Sequence, residues 1–254
     1  MTTESIEGPR PPSAEVRPPG LEPAESHPLD NVVWHALATS HRELAEGDGL
    51  ARRYRPDVAP FHAVTTVDDQ GWAALGDLAG PGGIVVLFRD AVPPAPLDWT
   101  RVAGGVGHQM VAEALTPIAP VPSRPLTDED VPQMLELVAL TQPGPFERRT
   151  IELGGYIGVF EGDRLLAMAG ERMRVPGYTE VSAVCTHPDA RGRGLAAALT
   201  HQVATTAQAR GDTAYLHVRA DNDVARRVYE RLGFRLRRAV ELVVLRAPDR
   251  QDRT

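Results

Sequence analysis

The 254-residue chain contains no lysine, so all 27 of its strongly basic side chains are arginine. That absence excludes a phosphate-binding loop of the GxxxxGKS/T kind, whose lysine reaches the terminal phosphates. A single cysteine, Cys185, excludes an internal disulfide and a cysteine-rich metal cluster. The eight histidines show neither HxxxH nor HExxH spacing, so no metal site is expected. The longest apolar runs, such as residues 83–88, fall far short of the roughly 20 residues that cross a bilayer. The N-terminal residues include Glu4 and Glu7 and lack an apolar core, unlike a secretory signal. A formal net charge of −7 leaves no basic field for nucleic acid. With 42% hydrophobic and 24% charged residues, the composition is that of a soluble globular protein. The expectation is a cytoplasmic, metal-free protein that acts on neither membranes nor nucleic acid.

Residues 1–28 hold seven prolines and almost no large apolar side chains, a composition that cannot offset its ordering entropy and reads as a disordered tail. Residues 29–122 read as a smaller α/β domain. Asp30 caps an expected helix through Val33, Trp34 and Leu37 toward Leu44. A second helix is expected around Trp72 and Leu78, then a buried strand at residues 84–88. Residues 106–115 fit either a strand or a short helix. Trp34, Trp72 and Trp99 are read as core, and His35, His41 and His62 as surface or satisfied side chains. The proline-rich stretch at 117–125 reads as a stiff linker, and residues 248–254 as a C-terminal tail.

Residues 124–247 carry a second pattern. Thr127 opens a helix with Val131, Met134, Leu135 and Val138 on one face. Two apolar runs, 156–160 and 165–170, flank a Gly162 turn and read as a hairpin. A strand at 180–186 leads into residues 187–199, HPDARGRGLAAAL, which read as a turn, a glycine-rich loop and a helix carrying Leu195, Leu199 and Val203. Glycine lets a ligand approach the main chain, and a helix N-terminus offers unpaired N–H groups and a positive dipole end. With Arg191 and Arg193 beside it, this stretch is a pyrophosphate cradle. A strand at 213–218 follows, then a helix capped by Asn222 or Asp221, stopped by Gly233, and a last strand through residues 240–245.

Two identities compete for the cradle. Gly192-x-Gly194-x-x-Ala197, with Asp212 about 20 residues on, matches a dinucleotide fingerprint, which makes a dinucleotide-binding oxidoreductase one alternative. Five residues part the strand from the first glycine, however, and only some sixty residues follow. Arg191-x-x-Gly194-x-Ala196 resembles instead the Q/R-x-x-G-x-G/A motif of the GNAT superfamily of N-acetyltransferases. Asn222-x-x-Ala225-x-x-x-Tyr229-Glu230-x-x-Gly233-Phe234 resembles that family's second motif at its usual distance. The segment Val184-Cys185-Thr186-His187-Pro188, with Gly170-Glu171-Arg172, is similar to a bacterial branch whose catalytic half resembles glycine N-acyltransferases.

The resemblance implies an α/β (α+β) fold, a mixed twisted sheet flanked by helices, preceded by the smaller N-terminal α/β domain. It implies acetyl-CoA as co-substrate, a primary amine as acceptor and direct transfer in a ternary complex. By the same resemblance the backbone of Val184, Cys185 and Thr186 meets pantetheine and the thioester. Arg191, Gly192, Arg193, Gly194, Leu195 and Ala196 hold the pyrophosphate, and Asn222 and Ala225 lie beside the pantetheine arm. Tyr229 aligns with the general acid, and Glu180 is the candidate base, acting directly or through water, with Glu171 and His217 in reserve. Cys185, alternating with Val181 and Ala183, reads as a small buried hydrophobe. The acceptor pocket is expected at residues 143–146 and the boundary with the N-terminal domain. The acceptor itself, a small amine or a protein N-terminus, is not encoded in a motif, and the assembly state, a homodimer included, stays open. The alternative from another class is a non-catalytic acyl-CoA-binding regulatory module.

Overall fold

Val32, Val33, Ala36 and Leu37 recur at helical spacing and are buried on one side of helix α1 (Val32–Ala38). In this computed structural model, which describes residues 27–47 and 49–249, α1 is shorter than expected and its cap position is Asn31, not Asp30. Tertiary charge draws Asp30 away, because its carboxylate accepts from Arg237 at 2.7 Å and lies 3.0 Å from Arg238. A separate 3-10 turn, Arg42–Leu44, replaces the expected extension. Strands β1 (Ala45–Glu46), β2 (Ala51–Tyr54) and β3 (Phe61–Val64) precede helix α2 (Asp69–Ala79), where Asp68 Oδ1 accepts from the Gly71 N–H at 2.8 Å. Strand β4 (Ile84–Arg89) is the buried run read from the sequence, and the ambiguous stretch proves to be part of a long strand, β5 (Thr100–Ala112).

The second half follows its expected order. Strand β6 (Arg124–Pro125) leads to a capping box between Thr127 and Asp130 and then helix α3 (Val131–Thr141). Strands β7 (Tyr156–Glu161) and β8 (Arg164–Val175) form the hairpin, and β9 (Tyr178–Thr186) follows. Helix α4 (Leu195–Ala209), strand β10 (Thr213–Arg219), helix α5 (Asp223–Arg231) and strand β11 (Phe234–Arg246) complete the chain. The tails read from composition lie outside the described residues, apart from residues 27, 28, 248 and 249. Of these, His27 is tied down by a 3.1 Å contact between its Nε2 and the Tyr178 hydroxyl.

All eleven strands join one mixed sheet in the order β1-β2-β3-β4-β11-β5-β10-β9-β8-β7-β6. Strand β5 lies between β11 and β10 and is antiparallel to both. Strands from residues 29–122 therefore interleave with strands from residues 124–247, and the sheet runs through the boundary read at the proline-rich stretch. One face packs α1 against Phe61, Phe88 and Val240, and α3 against Met168 and Cys185. The other packs α4 over Ala167, Val181 and Leu216, and α2 over Val85, Leu87 and Val243. Leu199 of α4, fully buried, contributes on the order of 2 kcal/mol by leaving water. No helix among the described residues is long and apolar enough to cross a membrane.

Candidate active site

Strands β9 and β10 pair in parallel only from Tyr178 and Thr213 to Val181 and Leu216. Beyond that point they part, and the cause lies in β9. Met168 of β8 faces Cys185, while Gly170 faces Ser182, so β9 uses one residue more than its partner. Ala183 absorbs the excess at φ 51°, a left-handed conformation that costs a non-glycine residue about 1–2 kcal/mol. Such a bulge bends its strand and carries residues 184–186 away from β10. It also resets the alternation. Cys185 packs with Met168 and α3, while Val181 faces α4; the two do not share a face as simple alternation implies.

The split opens a cleft of about 680 Å³. Val184, Cys185 and Thr186 form one side, and Arg191, Gly192, Gly194, Leu195 and Ala196 form the end at α4. Asn222, Ala225 and Tyr229 close it from α5. Gly192 and Gly194 take φ of 77° and 74°, and a Cβ would meet open space at either. Backbone handedness, not room, requires glycine there. Gly194 is the cap position of α4 and has no side chain to satisfy the first-turn N–H groups, which leaves them open to an anion. Arg191 is exposed and has no partner among the described residues. Arg193 lies outside the lining and reaches Glu161 at 3.3 Å instead. The Thr186 hydroxyl is buried without a hydrogen-bond partner, a polar atom left over on the cleft wall.

Asn222 Oδ1 accepts from the Ala225 N–H at 3.0 Å, which gives the paired Asn and Ala of the motif a capping function. Asp221 is held by Arg219 and does not cap. Tyr229 is half-buried against Phe234, and its hydroxyl has no partner among the described residues. Burial, and then Cys185, pushes this phenol up to about 12, so it holds its proton at neutral pH. Burial likewise pushes the Cys185 thiol up to about 11, which leaves no thiolate for a covalent step.

Glu180 lines no part of this cleft. It is buried and held bidentately by Arg172, at 2.9 and 2.6 Å, while its Oε1 accepts from His217 Nδ1 at 2.7 Å. Burial would raise this carboxyl, but Arg172 and then His217 overcome it and bring it down to about 2. Glu180 is thus a weak base set back from the cleft wall, its oxygens taken by Arg172 and His217. His217, buried but lining the cleft, stands in its place. Gln109 Nε2 lies 3.1 Å from His217 Nε2 and donates to the Leu29 carbonyl at 2.9 Å, while Gln109 Oε1 accepts from Arg237 at 2.8 Å. These contacts fix the amide with its N–H groups toward His217, so the imidazole carries its proton on Nδ1 and accepts at Nε2. Burial, against the pull of Glu180, lowers the pKa of His217 and keeps it neutral. Glu171 stands at neither cleft and pairs with Arg210 at 2.7 Å. Asp212, the acidic residue of the dinucleotide reading, is taken by Thr179 and Arg174.

A second cleft, about 510 Å³, meets the first at Gln142, Pro143, His217, Val218 and Arg219. Its walls include Pro143, Gly144 and Pro145 of the expected loop and Phe61 and Phe88 of the N-terminal segment. Phe146 turns instead into the core against Tyr156. A further wall is residues 103–107 of β5, of which only 106 and 107 fall in the stretch read as a strand or short helix. Their signal is period two: Ala103, Gly105 and Gly107 are small on the face where a strand usually carries bulk. Trp72 and Trp99 belong to the core, packed at 5.2 Å, while Trp34 is half-buried at its edge beneath Arg52.

A model of the FR47-like protein family matches residues 156–243, the span from the hairpin through most of β11. A GNAT-family protein from Novosphingobium aromaticivorans is 39% identical, with a TM-score of 0.80 over 87% of this chain and 98% of its own. The chain belongs to the GNAT family of acetyltransferases. A GCN5-related N-acetyltransferase from Kribbella flavida has the same fold at 20% identity, with a TM-score of 0.56 over 84% of this chain and 95% of its own. A Drosophila protein shares it at 15% identity and a TM-score of 0.54, over 78% of this chain and 73% of its own. No curated protein matches the chain.

Proposed function

We propose that the protein is a cytoplasmic acetyl-CoA-dependent N-acetyltransferase that passes an acetyl group directly to a primary amine. The observation that carries this reading is the meeting of two clefts at His217, where β9 and β10 part. The first cleft fits a pyrophosphate on the open N–H groups of α4 and the unpaired Arg191. The freed backbone of residues 184–186 and the unpartnered Thr186 hydroxyl suit the amide-bearing pantetheine arm. Acetyl-CoA supplies the activated carbonyl. An amine entering from the second cleft attacks that carbonyl, the C–N bond forms, and the C–S bond breaks. Tyr229, protonated and unpartnered, gives its proton to the departing thiolate. The proton that the attacking amine sheds as the C–N bond forms is taken by His217, at the meeting of the two clefts. Glu180 acts through His217 by fixing its tautomer and stabilising its charged form, as the carboxylate of a histidine–carboxylate pair does.

Calorimetric titration with acetyl-CoA and with NAD tests the reading. Micromolar binding of acetyl-CoA, with thiol release when amines are added, is the expected result. Binding of NAD alone would overturn it. Tight acetyl-CoA binding with no turnover on any amine would favour the regulatory module.

A further inference from the structure

We infer that the second cleft takes an acceptor with one amine on an uncharged, apolar body, an aryl- or alkylamine, and rejects amines that bear a carboxylate or a second cation. The inference rests on the transferase reading and names the substrate class of that same site. Four ionisable side chains line the cleft: Arg172, His217, Arg219 and Asp221. None has charge to spare. Arg172 gives two hydrogen bonds to Glu180, and Arg219 gives two to Asp221, at 2.9 and 2.6 Å. His217 is neutral between Glu180 and Gln109. A substrate carboxylate at Arg172 would put two carboxylates on one guanidinium, and like charges in a buried site repel. A second ammonium would find no unpaired carboxylate and would lose its hydration without return.

Apart from Gln142, the side chains of the rest of the cleft are apolar, and they leave room for a body of some width. Phe88 stands edge-on to His217 at 4.4 Å between ring centroids and 5.9 Å from Phe61, which places an aromatic wall beside the reacting position. Leu242 pairs with Phe88 on one side and with Gly105 on the other, and Val244 pairs with Ala103. Directly paired residues stand on the same face, so bulk on β4 and β11 gives way to small residues on β5. A Cβ on Gly105 meets nothing within 4 Å, and its φ is outside the left-handed region. The space above it is the cleft.

Thiol release from acetyl-CoA by the full chain, with matched pairs of amines, tests the inference. 2-Phenylethylamine is set against phenylalanine, and hexylamine against 1,6-diaminohexane. The uncharged-bodied member of each pair is expected to have the higher kcat/KM by about tenfold or more. Equal or better use of the charged member in either pair overturns the inference. Gly105→Asp, which the backbone and the open space accept, puts a carboxylate on the wall and is expected to bring the diamine to within about twofold of hexylamine. An unchanged diamine ratio in that variant also overturns it. Calorimetric titration of the same amines in the presence of CoA separates the two readings. Selective binding of the monoamines without turnover upholds the substrate class and overturns the transferase. Turnover without selectivity overturns the class alone, and no binding or turnover of any of the four amines overturns the class.

Discussion

His217 donates from Nδ1 to Glu180 Oε1 at 2.7 Å, one residue beyond the last position at which β10 pairs with β9. The pair joins the charge network of the sheet to the wall of the clefts, so removing the carboxylate acts on both. Glu180→Gln leaves Arg172 buried without its counter-charge, and breaking such a pair costs about 3–5 kcal/mol. The melting temperature should fall accordingly. In what folded protein remains, kcat should drop with little change in the affinity for acetyl-CoA.

The buried histidines set the acid limit of stability. His41 and His62 are each lowered by burial to about 4, and His217 is lowered as well. The unfolded chain then binds more protons than the folded one below about pH 6.5. The stability these neutral side chains carry is present above that pH and is lost as pH falls toward 4. Glu180, depressed to about 2, adds a further loss from about pH 4.5 downward. Thermal unfolding across pH 3–8 should show a plateau above 7 and a continuous decline below 6.5. A midpoint unchanged from 7 to 4 would contradict the neutral state of His41, His62 and His217 in the folded chain.

Tyr229→Phe should lower kcat by about 10²–10⁴, the usual range for a general acid. The KM for acetyl-CoA should stay within about twofold, because the ring keeps its contact with Phe234. The phenol of the wild type sits near 12, so kcat should show no alkaline limb below about pH 10.

The bulge offers a test independent of catalysis. Ala183→Gly removes the penalty at φ 51° and should raise stability by about 1 kcal/mol in a denaturant titration. Ala183→Val, with a branched side chain in the same conformation, should lower it by at least as much.

In the cradle, Gly194→Glu places a side chain at φ 74° and a negative charge where an anion would sit. Stability should fall by about 1–2 kcal/mol. Acetyl-CoA affinity should fall by a factor of about 100 or more, measured by calorimetry.

The sequence made local features legible and left their long-range partners hidden. The glycine-rich loop, the Asn222 cap and the hairpin depend on neighbours within a few residues, so their positions could be read directly. Glu180 was recognisable as a carboxylate at the right depth of its strand. What holds it, Arg172 and His217, is set by strand pairing, which the sequence alone does not display. Asp30 looked like a helix cap because Arg237 and Arg238 are more than 200 residues away. Residues 103–105 carry too little apolar alternation to declare a strand, and their smallness makes room in the second cleft. The Ala183 bulge leaves no mark in the sequence, since alanine is not a residue that favours positive φ.

Strand β5 finds its two neighbours only in β10 and β11, which are made about a hundred residues later. During synthesis, residues 100–112 leave the ribosome with both edges bare and must wait for residues 213–246 before either is covered. Cutting the chain in the proline-rich stretch would not release two finished sheets. One piece would lack the partners of its longest strand, and the other would carry a strand-wide gap. The enclosure of the second cleft is thus a late event in folding.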